Sequence, residues 1–248
     1  MDLGLRDSVV LVTGGGRGVG LGITKAFQAE GAKVVICARH EPETDIGAEF
    51  IQCDVRDTEQ VDALIDEIAA RHGRLDVVVN NAGGSPPVDA ATVSPRFHAG
   101  IVGLNLLAPL LVSQRANAVM QKQESGGSII MISSICGSRP SPTTAAYAAA
   151  KAGLNNLAGS LAVEWAPKVR VNSLGVGMVL TDRVGIHNPH LDEVAKTVPL
   201  GRLAQPEEIG SCAVFLASPM ASYVSGSTLI VHGGGEVPAY LNAGREDG

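Results

Sequence analysis

Cysteine is rare in this chain and follows no pattern. The 248 residues include four cysteines, and none of these forms the C-x-x-C spacing of a redox or zinc motif. Such scattered residues argue against a disulfide framework and against a metal site. We therefore expect buried free thiols in a reducing compartment, at Cys37, Cys53, Cys136 and Cys212.

An excess of basic residues is also missing. Nineteen Lys and Arg stand against 25 Asp and Glu, and the net charge of −6 argues against nucleic acid as a partner. The first residues lack the basic region and apolar core of a signal peptide, and no uncharged apolar stretch reaches membrane-spanning length. We expect a cytoplasmic protein with no membrane partner.

Internal repeats, low-complexity blocks and linkers are absent from the sequence. The length and the 45% hydrophobic content suffice to bury the core of one α/β domain. We predict a single domain over residues 1–248, with a C-terminal tail over about 235–248.

Short apolar runs alternate with segments of helical periodicity. This alternation is typical of a doubly wound parallel sheet of the Rossmann type, with about seven strands and with helices on both faces. Strands are predicted at residues 9–12, 33–38, 49–53, 75–79, 128–133, 169–173 and 228–231. Helices are predicted at residues 18–30, 58–72, 94–121, 144–165 and 206–217.

The first predicted strand ends in a glycine-rich turn, and a predicted helix follows it. This is the context of a dinucleotide site, in which Gly14 makes the tight turn, Gly18 admits a pyrophosphate and Gly20 lets the helix pack closely. The N–H groups at the start of the helix then face the phosphates. The spacing T-G-x-x-x-G-x-G differs from the common G-x-G-x-x-G, and a glycine-rich surface loop is the alternative. The predicted cofactor contacts are Gly14, Gly16, Arg17, Gly18, Val19 and Gly20.

A tyrosine and a lysine four residues apart, Tyr147 and Lys151, fall on one face of a predicted helix. An adjacent ammonium favours the phenolate and brings the pKa of a phenol toward the range useful for acid–base catalysis. Ser134, upstream of Tyr147, can orient a carbonyl or alcohol oxygen against the phenol. Helices place Tyr and Lys four apart by chance, so the pair gains its weight from the glycine turn that accompanies it.

Together these motifs resemble those of the short-chain dehydrogenase/reductases, in their single-domain branch, including members that reduce 3-oxoacyl thioesters. The resemblance extends from about Leu5 to about Gly234. It is carried by the glycine turn and by Asn80-Asn81-Ala82-Gly83, Asn105, Ser134, Tyr147, Lys151, Pro199-Leu200-Gly201-Arg202, Pro206-Glu207-Glu208, Phe215-Leu216-Ala217-Ser218 and Tyr223-Val224-Ser225-Gly226.

The resemblance implies catalytic roles for four residues. Tyr147 would be the general acid/base, Lys151 would lower its pKa and hold the ribose, and Ser134 would position the substrate oxygen. Asn105 matches an asparagine that supports a proton-relay water beside the lysine. A buried amide bonded to backbone is the alternative for Asn105. Ser133 is the alternative to Ser134, although strand alternation turns its side chain away.

The end of the second predicted strand bears on the choice of cofactor. A carboxylate there holds the ribose 2′-hydroxyl of NAD, whereas an arginine favours the 2′-phosphate of NADP. Here Ala38 stands at the acid position, Arg39 follows it, and Arg17 offers a second phosphate partner. We expect NADP(H). NAD(H) stays open, because three acidic residues follow closely and Arg39 could be a solvated loop residue.

Two further loops would contact the adenosine half of the cofactor. Asp54 could accept a hydrogen bond from the adenine amino group and Val55 could flank the ring; capping a helix is the alternative for Asp54. Asn81-Ala82-Gly83 follows the fourth predicted strand, and a plain turn is its alternative.

Two positions depart from the family pattern. Val176 replaces the usual proline after the sixth strand, which should loosen this loop, while Gly177 and Val179 remain and Thr181 fits the residue that bonds the nicotinamide carboxamide. His232 replaces the usual aspartate before the C-terminal glycines, where a lone histidine does not indicate a metal site.

By the same resemblance, the small-molecule substrate lies against the loop after Ser134 and the segment after Thr181. We predict NADP(H)-dependent hydride transfer to or from a hydrophobic ketone, secondary alcohol or 3-oxoacyl thioester. One alternative is an NAD-dependent dehydrogenase of a ring or sterol-type alcohol. The other is a non-catalytic redox sensor or scaffold, against which the Ser134, Tyr147 and Lys151 set argues. The predicted pocket residues are Ile135, Cys136, Pro140, Val184, Ile186, His187 and Leu191.

The predicted helices 94–121 and 144–165 carry more apolar residues than one sheet face needs. Pairing of such helices across a two-fold axis would cover the second side. We expect a homotetramer, or a homodimer; a monomer with an alanine-rich surface helix is the alternative.

Overall fold

The computed structural model of the chain describes residues 3–181 and 190–236. Its centre is a seven-stranded sheet in which all neighbouring strands are parallel. The strands are β1 (Val9–Thr13), β2 (Lys33–Ala38), β3 (Glu49–Gln52), β4 (Val77–Asn80), β5 (Gly127–Ser134), β6 (Val169–Val176) and β7 (Thr228–Val231). All seven predicted strands are confirmed, with ends that differ by up to three residues.

The spatial order is β3-β2-β1-β4-β5-β6-β7. The chain runs outward from β1 to β3 and then returns to place β4 on the other side of β1. At such a reversal the connecting helices leave opposite faces, and a crevice opens beyond the carboxyl ends of the two central strands. The glycine turn follows β1 and Asn81-Ala82-Gly83 follows β4, so the topology places both at this crevice.

Helices cover both faces of the sheet. They are α1 (Gly18–Ala29), α2 (Thr58–His72), α3 (Pro95–Val102), α4 (Ala108–Met120), α5 (Ala145–Trp165), α6 (Leu191–Thr197) and α7 (Pro206–Ala217). The predictions for α1, α2, α5 and α7 are confirmed to within one residue at each end. The sequence patterns had not indicated α6.

The predicted single helix over residues 94–121 is wrong in its middle. A π-helix, Gly103–Leu107, separates α3 from α4 and contains Asn105. The N–H of Ala108 donates to the carbonyl of Gly103, five residues earlier, as a π turn requires. Hydrophobic periodicity does not reveal one inserted residue, because the apolar stripe resumes on both sides of it.

Two apolar layers flank the sheet, which explains why its strands are apolar almost throughout. On one face of the sheet, alternate strand residues such as Leu11 and Val78 pack against α2, α4 and α5. On the other face, Val12 and Val79 pack with Phe27 of α1 and with residues of α7. The core therefore fixes the strand ends from which the site loops extend.

All four thiols are free. Cys37 and Cys53 are buried beneath β2 and β3, where the two thiols hydrogen-bond to each other. Cys136 and Cys212 are half-buried. The prediction of buried thiols thus holds for the first two only.

The helical run Pro95–Met120 is long and apolar enough to span a membrane by length and composition, with a mean hydropathy of 1.4. In this fold its inward face lies on the sheet, where Val112, Ala116 and Met120 are fully buried. About a third of its most apolar window is buried within the chain, so much of its outer surface is open to another partner.

Candidate active site

The glycine turn has the close packing that its sequence predicts. Gly14 and Gly18 take left-handed backbone angles, with φ of 64° and 51°. A methyl group on Gly20 would lie 2.2 Å from the Gly14 carbonyl oxygen, so only glycine lets α1 begin this close to β1. A methyl group on Gly18 would lie 3.4 Å from the Thr181 side chain, which places that threonine across the crevice from the turn.

The start of α1 fits a phosphate group. No side chain caps the helix at Arg17, and its first turn carries no acidic residue. Its first N–H groups, including that of Val19, therefore lack a side-chain acceptor and face the crevice, where the helix dipole favours an anion.

Hydrogen bonds join the glycine turn to the segment after β4. The Thr13 hydroxyl accepts from the N–H groups of Asn81 (3.0 Å) and Ala82 (2.9 Å). The Asn81 amide donates to the carbonyls of Thr13 (2.9 Å) and Gly14 (3.1 Å). Asn81 and Ala82 therefore hold the rim of the crevice in place, and Thr13 is a supporting residue that the motif comparison did not single out.

Two arginines stand beside the turn. Arg17 and Arg39 are exposed, and neither forms an ion pair within residues 3–181 and 190–236. A methyl group on Gly16 would lie 2.8 Å from Pro42, so the loop that begins at Arg39 packs against the glycine turn. Two exposed cations thus border the predicted phosphate site, although the charge of Arg39 also acts on the Asp54 carboxylate.

The two residues predicted to contact the adenine ring, Asp54 and Val55, differ in their surroundings. Asp54 accepts hydrogen bonds from Arg56, which is the main reason that the pKa of its carboxyl falls to about 2. Asp54 does not cap α2, because Asp57 holds that position and accepts from two helix N–H groups. The Val55 side chain is only 7% exposed and packs in the core, so little of it is open to a ring.

Ser134, Tyr147 and Lys151 meet where β5 ends and α5 begins. The Ser134 hydroxyl donates to the Val176 carbonyl at 3.4 Å, and it lies close enough to the Tyr147 phenol to favour the ionised form of that phenol. Lys151 is 3% exposed, its Nζ lies 5.6 Å from the centre of the Tyr147 ring, and Nζ donates to the Ile132 carbonyl at 2.7 Å. Within the described residues this buried ammonium has no carboxylate partner.

Burial governs the pKa values of this cluster. Burial raises the pKa of the Tyr147 phenol, and the neighbouring Ser134 hydroxyl offsets this only in part. The net lowering that we expected from Lys151 is therefore not found. Burial also lowers the pKa of the Lys151 ammonium, to about 8. At neutral pH the lysine keeps its proton and the phenol keeps its own.

Neighbouring residues fix the backbone at Lys151. The Ser133 hydroxyl donates to the Lys151 carbonyl at 3.2 Å, so Ser133 points toward α5, away from Ser134 as strand alternation predicts. A methyl group on Gly137 would lie 2.8 Å from the Lys151 carbonyl carbon. Gly137 thus allows the turn after β5 to touch α5, a role that the sequence did not predict.

Asn105 is fully buried and binds backbone with its whole amide group. Its Oδ1 accepts from the N–H of Gly84 (2.8 Å), and its Nδ2 donates to the carbonyls of Gly84 (3.0 Å) and Ile101 (2.9 Å). The alternative considered for this side chain, a buried amide that satisfies backbone, describes these contacts. Gly83 lies between Asn105 and Lys151, since a methyl group on Gly83 would be 2.7 Å from Oδ1 and 3.5 Å from Nζ.

The loop after β6 is held without the usual proline. The N–H of Gly177 donates to Val231, and a methyl group on Gly177 would lie 2.8 Å from His232, so glycine is needed here. Val179 forms a bridge with Ala204. These contacts hold the loop in place around Val179, and the loosening expected from Val176 stays a prediction.

Comparison with known proteins agrees with this geometry. A family model described as Enoyl-(Acyl carrier protein) reductase matches residues 14–236. The chain belongs to the short-chain dehydrogenase/reductase family. Members of the family are NAD(P)-dependent oxidoreductases, and this protein is one of them. The alternative of a non-catalytic sensor or scaffold is set aside.

The relatives span several substrates. A 3alpha-hydroxysteroid dehydrogenase of Mediterraneibacter gnavus is 35% identical over 243 residues, 92% of this chain and 97% of the relative. A 3-oxoacyl-[acyl-carrier-protein] reductase of Chlamydia muridarum is 37% identical over 243 residues, 93% of this chain and 98% of the relative. The structure of Thermoplasma acidophilum aldohexose dehydrogenase superposes with a TM-score of 0.89 at 31% identity, covering 94% of this chain and 96% of that one.

Part of the predicted substrate pocket lies outside the described residues. Val184, Ile186 and His187 fall in the segment 182–189. Of the others, Ile135 is buried, Cys136 is half-buried and Pro140 is exposed. Leu191 is half-buried at the start of α6.

Proposed function

We propose that this oxidoreductase transfers hydride between NADP(H) and a hydrophobic ketone, secondary alcohol or 3-oxoacyl thioester, with Tyr147 as the general acid/base. The observation that carries the proposal is the convergence of Ser134, Tyr147 and Lys151. Two neighbouring hydroxyls lie at the crevice, beside a buried ammonium that has no carboxylate partner in the described part of the chain.

The two hydroxyls can bind one substrate oxygen. In reduction, Ser134 donates a hydrogen bond to the carbonyl oxygen, and Tyr147 gives its proton to that oxygen as negative charge develops there. The nicotinamide, when bound, supplies the hydride. In oxidation the phenolate takes the alcohol proton. The raised pKa of Tyr147 keeps it protonated at neutral pH, which suits proton donation to a carbonyl.

Lys151 stabilises the phenolate that forms in each turnover. Its ammonium lies over the Tyr147 ring in a region of low dielectric, where a charge interaction is stronger than in water. The same ammonium is within reach of a cofactor ribose, the second role that the family resemblance implies. The Asn105 amide holds the backbone of Gly84 in place. The proposal also includes the water that, by the family resemblance, Asn105 would support as a proton relay beside the lysine.

The NADP(H) preference rests on Arg17 and Arg39. Guanidinium groups bind phosphate oxygens with paired hydrogen bonds, and neither of these two forms an ion pair among the residues that the structure describes. Ala38 at the end of β2 offers no carboxylate to a ribose 2′-hydroxyl. Asp54, Val55, Gly177, Val179 and Thr181 complete the proposed cofactor contacts.

A second candidate is an NAD-dependent dehydrogenase of a ring alcohol. The similarity to a hydroxysteroid dehydrogenase and to an aldohexose dehydrogenase favours it, since both names describe ring substrates. The same three catalytic residues would act, in the direction of oxidation.

Titration of the purified protein with NADPH and with NADH separates the two candidates at the cofactor. A panel of ketones, 3-oxoacyl thioesters, hydroxysteroids and aldohexoses then separates them at the substrate. Tighter binding of NADPH with turnover of a ketone or thioester supports the proposal. Oxidation of a ring alcohol with NAD supports the second candidate.

We also infer a homo-oligomer, a tetramer or a dimer, in the cytoplasm. Leu107 is 51% exposed and Val163 of α5 is 81% exposed, so the two long helices present apolar side chains outward. Free thiols agree with a reducing compartment.

A further inference from the structure

Thr143 has a strained backbone four residues before Tyr147. Its φ is 66°, in the left-handed region, which a β-branched residue rarely adopts. This conformation directs its carbonyl toward the loop after β4, where the N–H of Val88 donates to it at 2.8 Å. Strain of this kind persists where surrounding contacts impose it, and it is frequent beside functional sites.

The segment 84–88 is held at both ends. Asn105 bonds both the N–H and the carbonyl of Gly84, and Thr143 accepts from Val88. Between them stand Ser85 and two prolines, whose rings restrict the backbone to extended conformations.

The ends of this segment are fixed on either side of Tyr147. Gly83 adjoins Lys151, and Val88 bonds to Thr143, which precedes α5 and has a non-helical backbone. Thr143 stands four residues before Tyr147, and Lys151 stands four residues after it. The segment 84–88 therefore joins contacts of the two positions that flank Tyr147.

The loop that carries Thr143 is itself fixed. The hydroxyls of Ser141 and Thr144 lie 2.7 Å apart, and the Ser141 hydroxyl donates to the Cys136 sulfur at 3.2 Å. Arg139 forms an ion pair with Glu236, in the segment after β7. The Thr143 carbonyl is therefore a stationary acceptor.

We propose that Thr143 is a positioning residue that sets the width of the substrate cleft. Its carbonyl fixes Val88, so that the segment 84–88 stands as a rigid wall beside the Tyr147 phenol. The wall admits a ketone whose carbonyl carries a slender substituent on that side and rejects one that is branched next to the carbonyl. The inference rests on the proposed function, because it concerns the substrate that reaches Tyr147.

Three variants isolate the backbone contact. Thr143→Pro cannot adopt a positive φ, so its carbonyl turns away from Val88. Val88→Pro removes the N–H donor from the other side and carries the test if the first variant fails to fold. Thr143→Gly is the matched control, because glycine takes the left-handed conformation without strain and keeps the hydrogen bond.

Selectivity is measured as the ratio of kcat/KM for a linear methyl ketone to that for a ketone branched beside the carbonyl. We expect this ratio to fall about tenfold in both proline variants and to change less than about twofold in Thr143→Gly. The dissociation constant of NADPH should stay the same in all three. An unchanged ratio in Val88→Pro, or an equal loss in Thr143→Gly, overturns the proposal.

Hydrogen exchange tests the hydrogen bond between Val88 and Thr143 without a measurement of activity. Pro86 and Pro87 have no N–H, so exchange between residues 85 and 88 reports on Ser85 and Val88 alone. The Val88 amide should be protected in the wild type and in Thr143→Gly and should exchange fast in Thr143→Pro. Protection in Thr143→Pro contradicts the inference. A wild type that turns over no ketone while this exchange pattern holds contradicts the proposed function instead.

Discussion

The Lys151 ammonium lies 5.6 Å from the centre of the Tyr147 ring, with the lysine buried and the tyrosine half-buried. Burial moves the two pKa values apart: it raises that of the phenol and lowers that of the ammonium to about 8. A proton leaving the phenol therefore leaves an anion next to a cation that water screens poorly.

Tyr147→Phe should abolish turnover and leave nucleotide binding intact. The change removes the acid/base hydroxyl but touches neither the glycine turn nor Lys151, and loss of such a group costs about 100- to 10,000-fold in rate. Steady-state kinetics and NADPH fluorescence titration measure the two effects. Tyr223→Phe, at a fully exposed tyrosine, is the control and should behave as the wild type. Near-normal turnover in Tyr147→Phe contradicts the mechanism.

Lys151→Met should change how stability depends on pH. Below pH 8 the folded wild type holds a buried ammonium, which lowers its free energy of unfolding. Between about pH 8 and 10.4 the folded state releases this proton before the unfolded state does, so the wild type gains stability relative to Lys151→Met as pH rises.

The gain should be on the order of 3 kcal/mol between pH 7 and 11. Urea unfolding at fixed protein concentration, in steps of one pH unit, measures it. Lys122→Met, at an exposed lysine, is the control and should show no such trend. A difference between wild type and Lys151→Met that stays constant over this range refutes the burial argument.

Arg39→Asp should shift the cofactor preference toward NAD(H). The substitution repels a 2′-phosphate and offers a carboxylate to the ribose hydroxyls, so we expect the ratio of the NADPH and NADH dissociation constants to change by roughly 10- to 100-fold. Arg6→Asp makes the same charge change beside Gly31, near the amino end of β2 rather than its carboxyl end, and controls for net charge. Equal shifts in both variants would show that Arg39 has no direct contact.

Val163→Asp should dissociate the oligomer. This side chain is apolar and exposed on α5, so a charge there is tolerated in a free chain but not in an apolar contact between chains. Light scattering at micromolar concentration should give a multiple of 25.5 kDa for the wild type and a lower mass for the variant. Val163→Ala, which stays apolar, should keep the wild-type mass. A wild-type mass of one chain refutes the oligomer.

Most of the fold could be predicted from the sequence, because a parallel sheet covered on both faces leaves strong signals. Its strands are continuous apolar runs such as β1, and its helices show regular stripes such as that of α2. The glycine turn and the Tyr147–Lys151 spacing likewise depend on local geometry. These features follow from neighbouring residues, so they appear in the sequence.

The features that could not be predicted from the sequence depend on contacts between residues that are distant in the chain. The π-helix at Asn105, the approach of Gly137 to α5 and the left-handed backbone of Thr143 are each imposed by a segment far away in the chain. The pKa of Tyr147 belongs to the same group, because burial raises it by more than the neighbouring Ser134 hydroxyl lowers it. No local pattern reports how deeply a side chain is buried.

The π-helix has a consequence for the orientation of α3. Each residue of an α-helix turns the chain by about 100° about the helix axis. The extra residue within Gly103–Leu107 therefore rotates the side chains of α3 relative to those of α4. Deleting one residue there would turn α3 by about 100° about its axis and carry Asn105 away from Gly84. The inserted residue thus fixes which side of α3 faces α5 while α4 keeps its contact with the sheet.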